Sequence, residues 1–311
     1  MILDFKADLS RHDVYANGVE LVQIMGIDCD DSGNRITTRL DTEKKLVTSF
    51  TNPVLVTDNY RIGKLDPVLR DTVFALYSSP KRRVIYDSVA IDFEQRKFPT
   101  VWGPSIDTLL FCRALKYLKI DYQLDEFTNS VEIGSGSGFI SKYILEKNPQ
   151  IKKAILVDIN DAAKKCANTY INDPRMSAIV GNGLKYLANK KFDMISCNPP
   201  YIPRFTTVEN NPYEGIGLLS GLISDGSESL TKNGILLVNI SSLCENKELK
   251  LIKDMNLNYE KIDQLDVPLK VFRVLNNQSW MDYLLSNSMK KETHNGYHYW
   301  QTLNMYKISR K

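Results

Sequence analysis

A short segment that combines an amide, two prolines and a phenol follows one of the apolar stretches of the chain. The sequence FDMISCN (192–198) predicts a buried strand, which Pro199 and Pro200 must end because proline cannot donate a ladder hydrogen bond. Asn198 offers an amide oxygen, Pro199 a backbone carbonyl and Tyr201 a ring. Two acceptors on a rigid turn could hold both hydrogens of a planar NH2 group while the ring stacks against the substrate. The segment SCNPPYIP therefore indicates chemistry at an amide or amine nitrogen.

Such a nitrogen is a poor nucleophile because its lone pair is delocalised. Acceptors that hold its N–H bonds and favour tetrahedral geometry would localise the lone pair. No general base is needed before the attack, since the proton can leave afterwards. The alternative interpretation of the segment is a strand-ending turn with an asparagine cap, which would be preferred if the segment stood alone.

A glycine-rich turn lies earlier in the chain, in VEIGSGSGF, between a predicted strand and a predicted helix. Gly134, Gly136 and Gly138 allow the backbone to turn tightly and to approach a ligand without an intervening Cβ. Their spacing does not match the dinucleotide fingerprint G-x-G-x-x-G. Glu132 precedes the turn, and Asp158 ends the next strand at the distance where an acid binds ribose hydroxyls in nucleotide-binding βαβ units. Together these residues predict a site for a nucleotide-containing cofactor.

Predicted strands and helices alternate from about residue 130 onward. Residues 130–136 predict a strand that runs into the glycine turn. Further strands are predicted at 153–159, 177–181, 192–198 and 234–241, and helices at 139–148, 161–171, 217–230 and 245–255. This alternation predicts a doubly wound, mostly parallel α/β sheet that binds ligands beyond the carboxyl ends of its strands. Ser242 and Glu245 fit a capping box at the start of the last helix.

The chain before this region has a different pattern. Residues 1–85 mix β-branched runs with turn signals, which predicts a smaller α+β N-terminal domain that binds a substrate or partner. The segments RVIYDSVAIDF, which begins at residue 83, and KFPTVW predict a hairpin. Residues 86–126 are assigned to this hairpin and a linking helix, before the main domain at 127–311. The segment 270–298 is long for a simple connection between two strands.

The amino-acid composition is typical of a soluble protein without disulfides or a metal site. The 311 residues are 43% hydrophobic and 25% charged, as expected for a soluble protein of two domains. Five scattered cysteines and three histidines predict neither a disulfide framework nor a metal site. The first residues lack the apolar core of a signal peptide, and no apolar run approaches the ~20 residues that span a bilayer. We therefore expect a cytoplasmic protein with no membrane partner, whose net charge of +3 neither requires nor excludes a nucleic acid.

Taken in order, VEIGSGSG, the acidic strand end VDI and SCNPPYIP resemble the class I S-adenosylmethionine-dependent methyltransferases. NPPY is similar to the branch that methylates nitrogen, which includes N6-adenine methyltransferases and HemK-type protein-glutamine methyltransferases. The extended NPPYIP, the GPSIDT segment before the first core strand and the GLLSGLISDG helix resemble the HemK type. The similarity covers roughly residues 85–245 and implies a Rossmann-like methyltransferase domain.

The resemblance implies S-adenosyl-L-methionine as cofactor, with Asp158 on the ribose, Ile159 on the adenine and Thr108 beside the methyl donor. The cofactor-binding residues that it implies are Glu132, Gly134, Gly136, Gly138, Asp158, Ile159, Asn182, Gly183, Asn198 and Thr108. Asn198, Pro199 and Tyr201 would be the catalytic residues that hold the acceptor nitrogen.

The expected reaction is methyl transfer from S-adenosylmethionine to a planar nitrogen. A glutamine side-chain amide on a protein is the first choice of acceptor, so a protein partner is favoured over nucleic acid. The alternatives are the exocyclic amine of adenine in RNA or DNA, a small-molecule amine, and a non-catalytic cofactor-binding subunit. Two departures from the HemK pattern bear on the site: Asn182 stands where aspartate is frequent, and Ser105 and Asp107 replace the Arg and Glu of P-R-P-E-T.

Overall fold

The structure is a computed structural model of the chain. It describes residues 34–40, 46–53, 82–93, 97–98, 101–104, 106–122, 126–205, 215–269, 274, 277–294 and 297–311. Most of the predicted N-terminal domain lies outside these ranges. Within them, strands β1 (Asn34–Leu40) and β2 (Leu46–Pro53) pair antiparallel.

A parallel sheet forms the centre of the main domain and confirms the predicted α/β architecture. Its strands are β5 (Asn129–Ile133), β6 (Lys153–Asp158), β7 (Met176–Val180), β8 (Phe192–Cys197) and β9 (Leu230–Ser241). They lie in the order β7-β6-β5-β8-β9 and pair parallel throughout. The chain runs outward from β5 to β7 and then places β8 on the other side of β5. At such a reversal, the loops that follow neighbouring strands diverge and leave a crevice for a ligand.

Helices cover both faces of this sheet. They are α1 (Ile106–Tyr122), α2 (Phe139–Lys147), α3 (Asp161–Tyr170), α4 (Gly183–Leu187), α5 (Gly217–Ser224), α6 (Glu245–Asp254) and α7 (Gln278–Ser286). Residues of α1, α2 and α3 belong to one apolar cluster, and residues of α4, α5 and α6 belong to another. On β6, Leu156 belongs to the first cluster, and Ile155 and Val157 belong to the second. Burial of both strand faces explains why the sequence shows continuous apolar runs here.

Antiparallel strands extend the sheet beyond β9. These are β10 (Leu257–Pro268), β11 (Lys290–His294) and β12 (Tyr297–Arg310), with β12 between β9 and β10 and β11 paired to β12. The segment 270–298 therefore carries α7 and β11 between two long strands. Among the described residues, no helix is long and apolar enough to cross a membrane.

The predicted hairpin is shorter than expected. Its strands are β3 (Arg82–Tyr86) and β4 (Val89–Phe93), which cover RVIYDSVAIDF and the residue before it. The described part of KFPTVW forms no strand. Asp87 and Ser88 have φ values of 47° and 70°. Two successive left-handed residues give the tight turn that joins adjacent strands of a hairpin, so the chain reverses inside the first segment.

The predicted capping box is wrong. Helix α6 begins at Glu245 with Cys244 at its N-cap, and no side chain caps it. The hydroxyl of Ser242 instead accepts a hydrogen bond from the backbone N–H of Thr302 at 3.1 Å. The hydroxyl of Tyr306 donates to the Glu245 carboxylate. Pairing of β12 with β9 thus takes both side chains that the local pattern assigned to the helix end.

A buried ion pair holds α1 against the antiparallel part of the sheet. The Arg113 guanidinium donates from Nε to Asp263 Oδ2 at 2.6 Å and from an Nη atom to Asp263 Oδ1 at 3.1 Å. The two side chains are only 2% and 7% exposed. A bidentate bond of this kind fixes direction as well as distance. It therefore fixes the helix whose first turn carries Asp107 and Thr108.

We expect Asp263→Ala to lower the free energy of unfolding by about 3–5 kcal/mol, because it leaves the Arg113 charge buried without its partner. Urea denaturation measures this loss. Asp254→Ala is the matched control, because it removes an exposed ion pair. The side chains of Lys250 and Asp254 in this pair are 76% and 57% exposed. Exposed pairs contribute little, so equal losses in the two variants would contradict the proposed role of the buried pair.

Candidate active site

A cavity of about 1340 Å³ opens where the carboxyl ends of β5, β6 and β8 meet. Single small ligands generally occupy sites of roughly 300–1,000 Å³, so this cavity has room for two reactants. Of the predicted site residues, it is lined by Glu132, Gly134, Gly136, Asp158, Ile159, Asn182, Gly183, Thr108, Asn198, Pro199 and Tyr201. The segments that resemble a cofactor site and an acceptor site are therefore brought together in one space.

The glycine turn after β5 forms one wall. Gly134, Gly136 and Gly138 have φ values of 68°, 50° and 79°, which residues other than glycine rarely adopt. A Cβ on Gly134 would meet no atom within 4 Å, so the space next to this backbone is open. Gly138 has a different environment, because a Cβ there would meet Ile171 at 2.9 Å and Ala167 at 3.3 Å. Gly138 thus allows close packing against α3 and does not line the cavity.

Asp158 at the end of β6 binds the glycine turn directly. Its Oδ2 accepts a hydrogen bond from the Gly136 N–H at 2.9 Å, and its Oδ1 accepts one from the Asn160 N–H at 2.9 Å. Burial raises the pKa of this carboxyl above its ordinary value. The backbone of Ile159 also bonds to this carboxyl. A carboxylate has about four acceptor positions, so acceptor capacity remains for a hydroxyl donor. The neighbouring Ile159 is 40% exposed and presents an apolar surface beside them.

Glu132 lies deeper in the cavity wall, where it is 2% exposed. Its Oε2 accepts hydrogen bonds from the backbone N–H of Ser141 at 3.0 Å and from the Ser141 hydroxyl at 2.5 Å. Burial raises the pKa of Glu132 from 4.5 to about 8, although the bonds from Ser141 favour the charged form. The carboxyl is therefore largely neutral at pH 7. A cationic ligand in this part of the cavity would favour its ionisation.

The loop after β7 forms the far edge of the same wall. Asn182 is the N-cap of α4, and its Oδ1 accepts from the Lys185 N–H at 3.0 Å. Its NH2 group is thereby left as the donor that can face a ligand. A Cβ on Gly183 would lie 2.3 Å from a methyl group of Ile133, so glycine is required for α4 to pack on β5.

The NPPY segment lies opposite, directly after β8. The Tyr201 hydroxyl donates to Asp107 Oδ2 at 3.3 Å, and Asp107 Oδ1 accepts from the Thr108 N–H at 2.8 Å. Asp107 is 3% exposed and lines the cavity. It was not among the predicted site residues, although its place in the P-R-P-E-T-like segment was a usable signal.

Helix α7, inside the segment 270–298, forms a wall beyond NPPY. The Trp280 indole N–H donates to the carbonyl of Pro203 at 2.8 Å, and the Arg204 guanidinium lies 4.5 Å from the centre of the Trp280 ring. The rings of Phe205 and Tyr283 are 6.4 Å apart. These contacts attach the inserted helix to the loop that follows the NPPY segment. Trp280, Tyr283, Arg204 and Phe205 all line the cavity.

Comparison with known proteins agrees with this geometry. Residues 115–268 match the family described as the methyltransferase small domain. The protein is an S-adenosylmethionine-dependent methyltransferase. It is 29% identical over 190 residues to a candidate protein N5-glutamine methyltransferase of Methanocaldococcus jannaschii, covering 57% of this chain and 91% of the relative. It is also 29% identical over 165 residues to the release factor glutamine methyltransferase of Aquifex aeolicus, covering 48% of this chain and 57% of that enzyme.

Among solved structures, a candidate S-adenosylmethionine-dependent methyltransferase from Streptococcus mutans aligns with a TM-score of 0.49. The alignment covers 98% of this chain and 80% of that chain at 11% identity.

The residues present fit S-adenosylmethionine. The acceptor capacity left on Asp158 suits a hydroxyl of a ribose, and Ile159 offers an apolar surface for a purine. Glu132 provides a carboxyl that can ionise beside a cationic ligand. The methyltransferase thus holds complementary groups for the sugar, the base and the positive charge of this cofactor.

The raised pKa of Glu132 predicts a pH-dependent stability of the cofactor-free methyltransferase. Between about pH 4.5 and pH 8 the folded chain keeps a proton that the unfolded chain releases, so stability falls as the pH rises through this window. Glu132→Gln lacks this effect. Thermal denaturation gives the unfolding temperature of the variant minus that of the wild type at each pH. We expect this difference to increase from pH 5 to pH 9. A difference that does not change with pH would contradict a buried, titrating Glu132.

Proposed function

We propose that this methyltransferase modifies the side-chain amide nitrogen of a glutamine in a protein substrate. The observation that carries the proposal is the position of Asn198, Pro199 and Tyr201 between the glycine turn and α7 in one cavity. Both curated relatives described above are named for glutamine methylation. Their names support the proposed acceptor, and the NPPY segment supports nitrogen as the methylated atom.

In the proposed reaction the chain acts by holding the acceptor nitrogen. The Asn198 Oδ1 and the Pro199 carbonyl accept the two N–H bonds of the amide, and the Tyr201 ring supports the planar group. These acceptors bind more strongly as the nitrogen becomes tetrahedral, so they stabilise the transition state more than the ground state. S-adenosylmethionine supplies an electrophilic methyl group. The proton leaves the nitrogen after transfer.

The groups that hold Tyr201 support this assignment. Its hydroxyl bonds to Asp107, which also accepts from the first turn of α1. The ring position is therefore fixed by a helix that the Arg113–Asp263 pair anchors to the sheet. Fixing a stacking group in advance reduces the entropy lost when the substrate binds.

The far end of the cavity favours a polypeptide over a nucleic acid. Among the described residues that line this end, the basic side chains are Arg204 and Lys247. The guanidinium of Arg204 lies against the Trp280 ring. Nucleic-acid binding depends on several contacts to phosphates, and this wall offers few cations for them. The aromatic surface of Trp280, Tyr283 and Phe205 suits the apolar side chains and backbone of a protein segment.

The acceptor is tested by incubating the methyltransferase with methyl-labelled S-adenosylmethionine and separate pools of cell protein, RNA and small molecules. We expect the label in protease-sensitive material, with N-methylglutamine recovered after digestion. Asn198→Ala tests the role of NPPY, because it removes a hydrogen-bond acceptor from the proposed reaction and leaves Asp158 and the glycine turn unchanged. Its turnover should fall at least about a hundredfold, the size of effect seen when one group is removed that stabilises the transition state. Its cofactor affinity should stay near that of the wild type.

Two outcomes would contradict the proposal. If the label survives protease and is released by nuclease, the acceptor is an adenine amine and not a glutamine amide. If Asn198→Ala has the turnover of the wild type, the NPPY segment has no part in the methyl transfer.

A further inference from the structure

A fully buried asparagine lies behind the proposed acceptor site. Asn239 belongs to β9, in a run from Leu236 to Ser241 in which every residue is fully buried. The parallel register places Val238 opposite Cys197, so Asn239 comes next to Asn198, which follows β8. The Nδ2 group of Asn239 donates to Asn198 Oδ1 at 3.2 Å. A polar side chain of the neighbouring strand thus contacts the proposed catalytic amide.

This side chain is unfavourable for packing alone. The Oδ1 atom of Asn239 is buried and has no hydrogen-bond partner among the described residues. Burial of an unpaired polar atom costs stability, whereas an apolar residue would satisfy this position in a central strand. A residue that breaks the local pattern in this way is typical of a position selected for function.

The direction of the hydrogen bond matters for the reaction. If the Asn198 side-chain amide rotated by half a turn, its oxygen and its NH2 group would swap positions. The NH2 group of Asn198 would then face the NH2 group of the acceptor. Two donors that face each other cannot form a hydrogen bond. A donor at Asn239 favours the orientation in which Asn198 presents its oxygen. That oxygen has two lone pairs, so it can accept from Asn239 and from the acceptor nitrogen together.

We propose that Asn239 is a positioning residue that fixes the orientation of the Asn198 amide during methyl transfer. The proposal rests on the role of Asn198 in the proposed function. It holds for a glutamine amide and for an adenine amine alike, because both present an NH2 group to Asn198.

The decisive variant is Asn239→Asp, which keeps the shape of the side chain. An ionised carboxylate cannot donate, so Asn198 turns its NH2 group toward it and turnover falls about tenfold or more at pH 8.5. A protonated carboxyl can donate again. Because burial raises the pKa of a carboxyl, we expect turnover relative to the wild type to recover as the pH is lowered to 6. The Michaelis constant for S-adenosylmethionine should change little.

Two further variants separate positioning from structure. Asn239→Leu has a similar branched shape and no donor, so its turnover should be low at every pH without recovery. Asn304→Asp places a carboxyl at another buried asparagine, on β12, whose Oδ1 also lacks a partner among the described residues. Its turnover relative to the wild type should not vary with pH. The nearby titratable groups include Cys197 on β8, Tyr306 on β12 and, one strand further, Glu132 on β5. The wild type has the same groups, so dividing by its rate at each pH removes their contribution.

A second readout needs no acceptor. In Asn239→Asp the side-chain NH2 signals of Asn198 should shift in the NMR spectrum above the pKa of the new carboxyl, as they gain a charged acceptor. In Asn239→Leu they should not show this titration. Wild-type turnover in Asn239→Leu, or a rate of Asn239→Asp that does not depend on pH relative to the wild type, would overturn the proposal. If the label falls on RNA, the glutamine assignment fails, and the same rate ratios measured on RNA still test Asn239.

Discussion

The pairing of β5 with β6 on one side and β8 on the other is the constraint on which the site depends. Parallel pairing brings the carboxyl ends of all three strands to one edge. The glycine turn after β5, Asp158 at the end of β6 and Asn198 after β8 therefore meet without any long-range loop to arrange them. Because the strand order reverses at β5, the connections that follow leave in opposite directions and the space between them stays open.

Around this edge, other groups of the protein hold the buried carboxyls in place. Asp158 accepts two backbone N–H groups, Glu132 accepts twice from Ser141, and Asp107 joins Tyr201 to α1. Each carboxyl is thus fixed before a ligand arrives, which lowers the cost of binding. Asn239 is buried as well, and one of its polar atoms has no partner among the described residues. The hydrogen bond that its Nδ2 group donates to Asn198 is the reason to assign it a role in the reaction.

The parts of the site that the sequence predicted are those with local signals. The glycine turn needs left-handed backbone at Gly134 and Gly136, and the NPPY turn ends a strand, so both follow from neighbouring residues. The contacts of α7 carry no local signal, because Trp280 and Pro203 lie 77 residues apart in the chain. Asn239 was hidden by its apolar surroundings. The capping box failed for the same reason, since β12 takes the hydroxyl of Ser242 through a contact 60 residues away.

Calorimetric titration with S-adenosylmethionine tests most directly whether this cavity is the cofactor site. We predict one binding site per chain in the wild type. Gly136→Val should abolish binding, because valine does not tolerate a φ of 50° and its Cβ would lie 3.0 Å from the carbonyl oxygen of Trp102. Asp158→Ala should weaken binding by roughly 1.5–3 kcal/mol, the worth of a charge-assisted hydrogen bond. Near-normal affinity in both variants, with their folds intact by circular dichroism, would contradict the assignment of the cavity.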